Sequence, residues 1–535
     1  MNGGGTATAD GGLGLQPLPQ NLGNLGAPPD RQISGTFQII LALYILLTGT
    51  FPTIVQAMAY GIDGGAGSNF SVAMASEIVR DLVLLAPVIM LSNHPLGILH
   101  PLLLGVVIWP FLSTMPAVVQ DFAGWGGVFL GEPVAAPYFE GLPGRSPSDV
   151  WFGIAKYNAL DVLRILAVYA GFAASKARLG MRRSFAIPNP SSVRVAMLLM
   201  LAAGSLVLLF FVRSRGGVIE HLGSLGRGRF RELGGQGIFI VAIHLQAIAL
   251  YVWVAARPKD VKSPFFLALL VFVVASQFVK NGSRAEALTV PMMVGLVWAL
   301  RVHKIPWRVA AIGAPLLFIS LGLLGAVRNS SWSRETATEA IASTGLSQSF
   351  ENAQTEIQER RSLQTSVPII ERSFDLSGPM MGTTYIPAVL GIVPRAVWSN
   401  KPRGPDSLYA QIFLHETSTG RGIPVGQTEE LFWNFGVFGV VLFGLIYGWV
   451  LTLAYSAYLK RYPSPIAIVF YALFVTRFQF ATEMLVTLEQ QMLLLLLCAI
   501  LISALPKVRL AVTPQQVRPV GNAGSPQPAT ATAAE

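Results

Sequence analysis

The sequence has a single cysteine, Cys498, in 535 residues. A disulfide framework and a thiolate metal site are thereby excluded. Charge is also scarce: Asp, Glu, Lys and Arg make up 12% of the chain, against about 25% in soluble globular proteins. With hydrophobic residues at 52% and a mean hydropathy of +0.55, a water-soluble globular fold is excluded. No Walker loop, Gly-x-Ser-x-Gly elbow, His-Glu-x-x-His pair or Asp-x-Asp is present. Nucleotide hydrolysis, serine-hydrolase chemistry and zinc-peptidase chemistry therefore lack their signatures. Neither a metal nor a cofactor is expected.

What the chain does have is long apolar runs. They recur from Phe37 to Leu505 and are long enough to cross about 30 Å of hydrocarbon as helix. Such runs are too long and continuous for barrel strands. The pattern predicts an all-α polytopic membrane protein with about twelve transmembrane helices, near 37–57, 76–92, 96–113, 159–174, 195–212, 238–256, 265–279, 286–300, 309–327, 431–457, 465–480 and 489–506. The second, fourth and eleventh are the weakest. Residues 1–31 and 511–535, rich in Gly, Pro, Ala or Thr, read as disordered cytoplasmic tails. Between them lie nine spans over 32–327 with external loops 114–158 and 213–237, a large external loop at 328–430, and the last three spans over 431–510.

Orientation follows from the basic residues of the short loops. Lys176, Arg178, Arg182 and Arg183, then Arg257, Lys259 and Lys262, then Arg301, Lys304 and Arg308, then Lys460 and Arg461 all fall on one side if both termini do. That side is expected to be the cytoplasm. The net charge of +10 then reflects topology, and no nucleic-acid partner is implied.

Three stretches break this rule. Loop 213–237 carries Arg213, Arg215, Arg227, Arg229 and Arg231 against Glu220 and Glu232. These arginines either pair with acidic groups of another outer loop or receive an anion, which guanidinium groups bind bidentately. In QFVKNGSRAEAL, residues 277–288, Lys280, Arg284 and Glu286 sit at the outer junction of two runs. A cation there usually faces a protein interior or a wet cavity. Arg328 ends the ninth run, where an arginine can also snorkel to the interface. Finally, GIVPRAVWSNKPRG, residues 391–404, brings Arg395, Lys401 and Arg403 together without an acidic residue. Prolines at 394, 402, 405 and 424 predict a non-helical lid. Glu429 and Glu430 follow, immediately before the tenth span, either as capping acids or as carboxylates facing an arginine-lined cavity.

The elements NGSRA (281–285), VPRAVWSNKPRG (393–404) and EELFWNFGVFG (429–439), in this order ahead of the last helices, resemble bacterial oligosaccharide repeat-unit polymerases of the O-antigen polymerase type. The resemblance covers roughly residues 195–500. It implies a membrane-embedded glycosyltransferase that joins polyprenyl-diphosphate-linked oligosaccharides on the outer face of the inner membrane. A chain-length regulator and export machinery would be its partners. Related ligases carry a histidine just before the Gly-x-x-Gly of the late helix. Here Gly436 and Gly439 are preceded by Glu429 and Glu430, and the nearest histidine is His415. The chemistry needs cations to stabilise a lipid-pyrophosphate leaving group and a base for the acceptor hydroxyl. Arg284, Arg395, Lys401 and Arg403, with Arg213, Arg215, Arg328 and Lys280, are the candidates for the first role. Glu430, Glu429 and then His415 are the candidates for the second. A flippase or exporter of lipid-linked glycan and an O-antigen ligase are the alternatives.

Overall fold

The structure, a computed structural model, describes residues 36–51, 54, 69–92, 94, 96–108, 141–175, 184–218, 220–222, 224, 236–305, 363–390, 398, 402–416 and 423–511. The run at 309–327, residues 109–140, 328–362 and 391–397, and both tails lie outside the described residues, as do Arg328, Arg395 and Lys401.

The described residues form a helical bundle. α1 (Thr36–Ile45) and α2 (Phe70–Met90) lead into a π-helical turn at Leu102–Ile108. α3 (Pro147–Ala174), α4 (Pro190–Arg213), α5 (Gly237–Ala256), α6 (Pro264–Asn281) and α7 (Arg284–Val302) follow. Two shorter helices, α8 (Leu363–Leu376) and α9 (Pro405–Phe413), precede α10 (Gln427–Arg461), α11 (Pro465–Arg477) and α12 (Thr482–Ser503). Of these, α3, α4, α5, α6, α7, α10 and α12 are long and apolar enough to cross a membrane. The protein is thus a helical membrane protein by length and composition of its helices.

Several helices start on the same device. Ser146, Asn189 and Ser263 each precede a proline and accept a hydrogen bond from the first turn, at 3.2 Å from Asp149 N, 3.0 Å from Ser191 N and 3.2 Å from Phe266 N. Proline at the first helical position loses no hydrogen bond there, and the side chain satisfies an otherwise orphan amide. The α6–α7 connection uses the complementary device. Gly282 takes a left-handed conformation (φ 66°) to close α6, and Ser283 caps α7.

Boundaries depart from expectation in five places. The fourth run is only the C-terminal part of α3, which begins twelve residues earlier because Lys156 and Arg164 are neutralised by Glu371 and Asp161, both at 2.8 Å. α10 begins at Gln427, so Glu429 and Glu430 lie within its first turn. α11 stops at Arg477, shorter than the run 465–480. The stretch expected to be non-helical contains α9, because Pro405 stands at a helix start, where proline is tolerated. A short β-element was not expected at all: β1 (Ser184–Pro188) pairs antiparallel with β2 (Lys507–Ala511).

α3 and α10 form the closest helix pair. A Cβ at Gly171 would meet Leu445 O at 2.0 Å, and one at Gly448 would meet Val168 O at 2.0 Å. Gly444 lies against Ala167 and Arg164 in the same way. Small residues let backbones approach where lipid supplies no hydrophobic drive between helices.

The described basic turns, at 257–262, 301–304 and 460–461, gather at one end of this bundle; residues 176–183 and Arg308 lie outside the described residues. β1–β2 ties the start of α4 to the end of α12. Arg257 bonds Ser191 at 3.3 Å, and Trp298 Nε1 donates to Pro258 O at 3.2 Å. Tyr458 and Tyr462 donate to Leu300 O and Arg301 O at 3.2 and 3.0 Å. The opposite end carries the α6–α7 connection, the end of α11 and the starts of α10 and α12.

Candidate functional site

The opposite end is where charge is buried. α10 is broken there: Gly436 adopts φ 64° and ψ −158°, outside helical space. The break redirects the first two turns. Gly444 packs on Ala167, while Thr428 bonds Asp161 of the same helix at 2.8 Å. Sixteen residues of straight helix would span about 24 Å, against about 9 Å for the six of α3, at ~1.5 Å per residue. The carbonyls freed by the break do not stay orphaned. Trp433 O and Asn434 O accept from Met380 N and Met381 N at 3.0 and 3.2 Å.

The two carboxylates of that broken start are both anchored. Glu429 Oε1 accepts from Gly426 N at 2.6 Å and from Ser366 Oγ at 2.8 Å, which makes it the cap of its own helix. Glu430, 0% exposed, accepts from Thr384 Oγ1 at 2.7 Å, from Thr482 Oγ1 at 2.5 Å and from Thr482 N at 2.8 Å. Thr482 opens α12, so Glu430 caps a second helix in trans. Asn434 completes the knot by donating to Thr384 Oγ1 and to Glu430 O, both at 2.8 Å, and by accepting from Gly382 N at 2.8 Å. All of these described partners are hydroxyls and amides. Glu430 therefore bolts α10, the 380–385 turn and α12 together, and the capping alternative is the one that the geometry favours.

Beneath the bolt lies an ion pair that the sequence reading passed over. Arg164 donates to Asp161 Oδ1 from Nε and Nη2 at 2.9 and 2.8 Å and to Thr428 Oγ1 at 2.9 Å. Its only sequence signal is the i, i+3 spacing of the two charges.

The cation cluster forms at the α6–α7 connection. Lys280, 0% exposed, pairs with Glu286, and its ammonium also meets Gln277 Oε1 at 3.0 Å and His244 Nε2 at 2.8 Å. Glu286 additionally accepts from Asn281 Nδ2 at 2.8 Å. Arg284, at the first position of α7, is 2% exposed. Arg477, at the end of α11, is within electrostatic range of both Glu286 and Lys280. Lys280 and Arg477 thus supply two cations within range of one carboxylate, Glu286, and Arg284 is buried four residues after Lys280 in the same connection. His244 and Arg477 were not among the sequence candidates: each sits inside an apolar run, and the partners of His244 lie 36 and more residues away in the chain.

The remaining candidates spread around this end. His221 Nε2 meets Val279 O at 3.0 Å, fastening the 212–222 turn to the end of α6. On that turn Arg213 is exposed, and Arg215 lies 5.9 Å from the Phe211 ring centre. Arg403 is exposed with Gln411 Oε1 at 3.3 Å, and His415 is exposed with φ 55°. The structure therefore buries Lys280 and Arg284 at one helix connection and leaves Arg403 and His415 exposed. A cleft lined by Gly426, Gln479, Ala481 and Glu483 opens between the starts of α10 and α12. Among the described residues no group of three or more His, Cys, Asp or Glu could hold a metal ion.

Searches against protein-family models, curated proteins and solved structures found no match to this chain.

Proposed function

We propose that the protein polymerises polyprenyl-diphosphate-linked oligosaccharide repeat units into a cell-surface polysaccharide, as a glycosyltransferase acting on the outer face of a bacterial inner membrane. The observation that carries this reading is the burial of Lys280 and Arg284 at the α6–α7 connection, where Lys280 pairs with Glu286 and Arg477 lies within electrostatic range, at the bundle end opposite the described basic turns. Basic turns face the cytoplasm, so the cluster faces outward, where lipid-linked glycans are assembled. About twelve spans and two cytoplasmic termini complete this topology.

A sugar on a lipid diphosphate is already activated. Its leaving group gains negative charge as the glycosidic bond breaks, and preorganised cations out of water stabilise that charge more than water does. Burying a cation inside a membrane protein is costly, and such residues mark ligand pathways far more often than packing. In this reading Arg284 and Arg477 meet the diphosphate, Arg213, Arg215 and Arg403 steer the anionic substrate, and Arg395, Lys401 and Arg328 are assigned with them from sequence. A chain-length regulator and an export system are the partners expected of such an enzyme.

The test uses full-length protein in liposomes with the lipid-linked glycan that accumulates when the gene is deleted in the source organism. Lengthening of that glycan without ATP or a proton gradient supports the reading. Movement across the bilayer without lengthening would instead make the protein a flippase, the second reading, which the broken helix at Gly436 favours because transporters build sites on interrupted helices. Transfer of finished glycan to another lipid would make it a ligase.

A further inference from the structure

The polymerisation proposed above needs a group that takes the acceptor hydroxyl's proton, and such a group must reach the substrate. Glu429 and Glu430 are 1% and 0% exposed, and their oxygens hold helix starts. To reach a hydroxyl they would have to release those helices. His415 lies exposed on the α9 side, and no described contact ties it to the cation cluster.

Glu286 differs on both counts. Its side chain is 33% exposed, while its partner Lys280 is 0% exposed. A carboxylate offers about four lone-pair sites. Among the described residues Oε2 faces Lys280 Nζ and His244 Nε2, and Oε1 takes only Asn281 Nδ2. With the side chain 33% exposed, lone-pair sites of Oε1 remain for a further donor. Lys280 Nζ bonds Oε2 and leaves Oε1 clear of the ammonium. Its ammonium also meets Gln277 Oε1 at 3.0 Å and His244 Nε2 at 2.8 Å, and His244 Nε2 lies 3.2 Å from Glu286 Oε2, so that Lys280 and His244 fix the carboxylate in place.

We propose that Glu286 is the general base of this reaction, with Lys280 and His244 as its positioning residues. The acceptor oxygen bonds to the anomeric carbon of the donor sugar. The bond from that carbon to the diphosphate oxygen breaks, its electron pair leaving with the diphosphate, and the acceptor proton passes to Glu286 Oε1. Arg284 and Arg477 bear the growing negative charge beside it.

The inference rests on the polymerase reading, and its experiment separates the two. If the wild-type protein fails to lengthen the extracted lipid-linked glycan, the polymerase reading fails and this inference fails with it. If it succeeds, Glu286→Gln is expected to lower kcat by roughly 10²–10⁴-fold with little change in KM, and Glu286→Asp to recover part of the loss. Glu286→Gln alone strands a buried ammonium and can cost folding. The double variant Lys280→Met with Glu286→Gln removes that charge, and it is expected to elute as a folded protein and to remain inactive. Near wild-type rate in either Gln variant would overturn the proposal while leaving the polymerase reading intact.

Discussion

Replacing Gly448 by alanine tests the framework on which the site stands. The added methyl would sit 2.0 Å from Val168 O and 2.6 Å from Phe172 N, and both atoms are backbone. The tightest favourable carbon–oxygen contacts are about 3.3 Å, so α3 and α10 must part by roughly 1.3 Å or distort. Overpacking of a well-packed interface costs about 1–3 kcal/mol. The upper part of that range is expected here, because no side chain can rotate away. Gly171→Ala attacks the same seam from the other helix, with Leu445 O at 2.0 Å. Once one methyl has separated the helices the second meets less resistance, so the double variant should cost clearly less than the sum of the single ones. Gly295→Ala is the control. Nothing lies within 4 Å of its added methyl, so helix propensity alone acts and should stabilise by roughly 0.5–1 kcal/mol. Thermal unfolding in detergent, followed by loss of the monodisperse elution peak, reads all four variants. Equal midpoints for Gly448→Ala and Gly295→Ala would refute the close-contact reasoning.

Glu430→Gln should turn an acceptor toward donors it cannot all satisfy, lowering stability by about 1–3 kcal/mol while activity per folded molecule stays within tenfold; a loss above a hundredfold in well-folded protein would make Glu430 the base instead. Arg284→Ala should abolish lengthening and Arg284→Lys restore only part of it, because lysine lacks the bidentate fork; full activity in the alanine variant would remove Arg284 from the diphosphate site. Reporter fusions after Arg183 and after Ser349 should give opposite signals, and identical signals would reverse or break the topology. Burial, helped by Arg301, lowers the His303 imidazole to about 4 from an ordinary 6.5. Between these values the unfolded chain binds a proton that the folded chain refuses, so stability should fall by up to roughly 3 kcal/mol as pH drops through that window. His303→Gln should flatten this dependence; an unchanged slope in the variant would rule the imidazole out as its source.

The apolar runs made the long helices legible but not their starts. The Ser-Pro and Asn-Pro pairs at 146–147, 189–190 and 263–264 stand at helix starts, and Asn281-Gly282-Ser283 closes one helix and caps the next, local signals that the reading by apolar runs did not use. The grouping of the described basic turns, at 257–262, 301–304 and 460–461, at one end was readable from the order of the loops. What failed were judgments that needed a distant partner. Residues 147–158 looked too polar to join the fourth run, yet Lys156 is matched by Glu371, which lies 215 residues further along the chain. The pairing of 184–188 with 507–511 likewise links two segments with no local strand signal strong enough to outweigh the helices beside them.

The candidate site divides along the same line. Gly426 and Glu429 form a cap that spacing alone suggests, since a carboxylate three residues past a helix start reaches back to the cap amide. Glu430 is its immediate neighbour in sequence, but adjacent residues on a helix point about 100° apart, at 3.6 residues per turn. It must therefore serve different partners, and these turn out to be Thr384 and Thr482. Two neighbouring glutamates that looked interchangeable are thus fixed to two different helix starts. The same geometry applies at 284–286, where Arg284 and Glu286 stand two apart and cannot face each other. That leaves Glu286 to Lys280 across the helix junction.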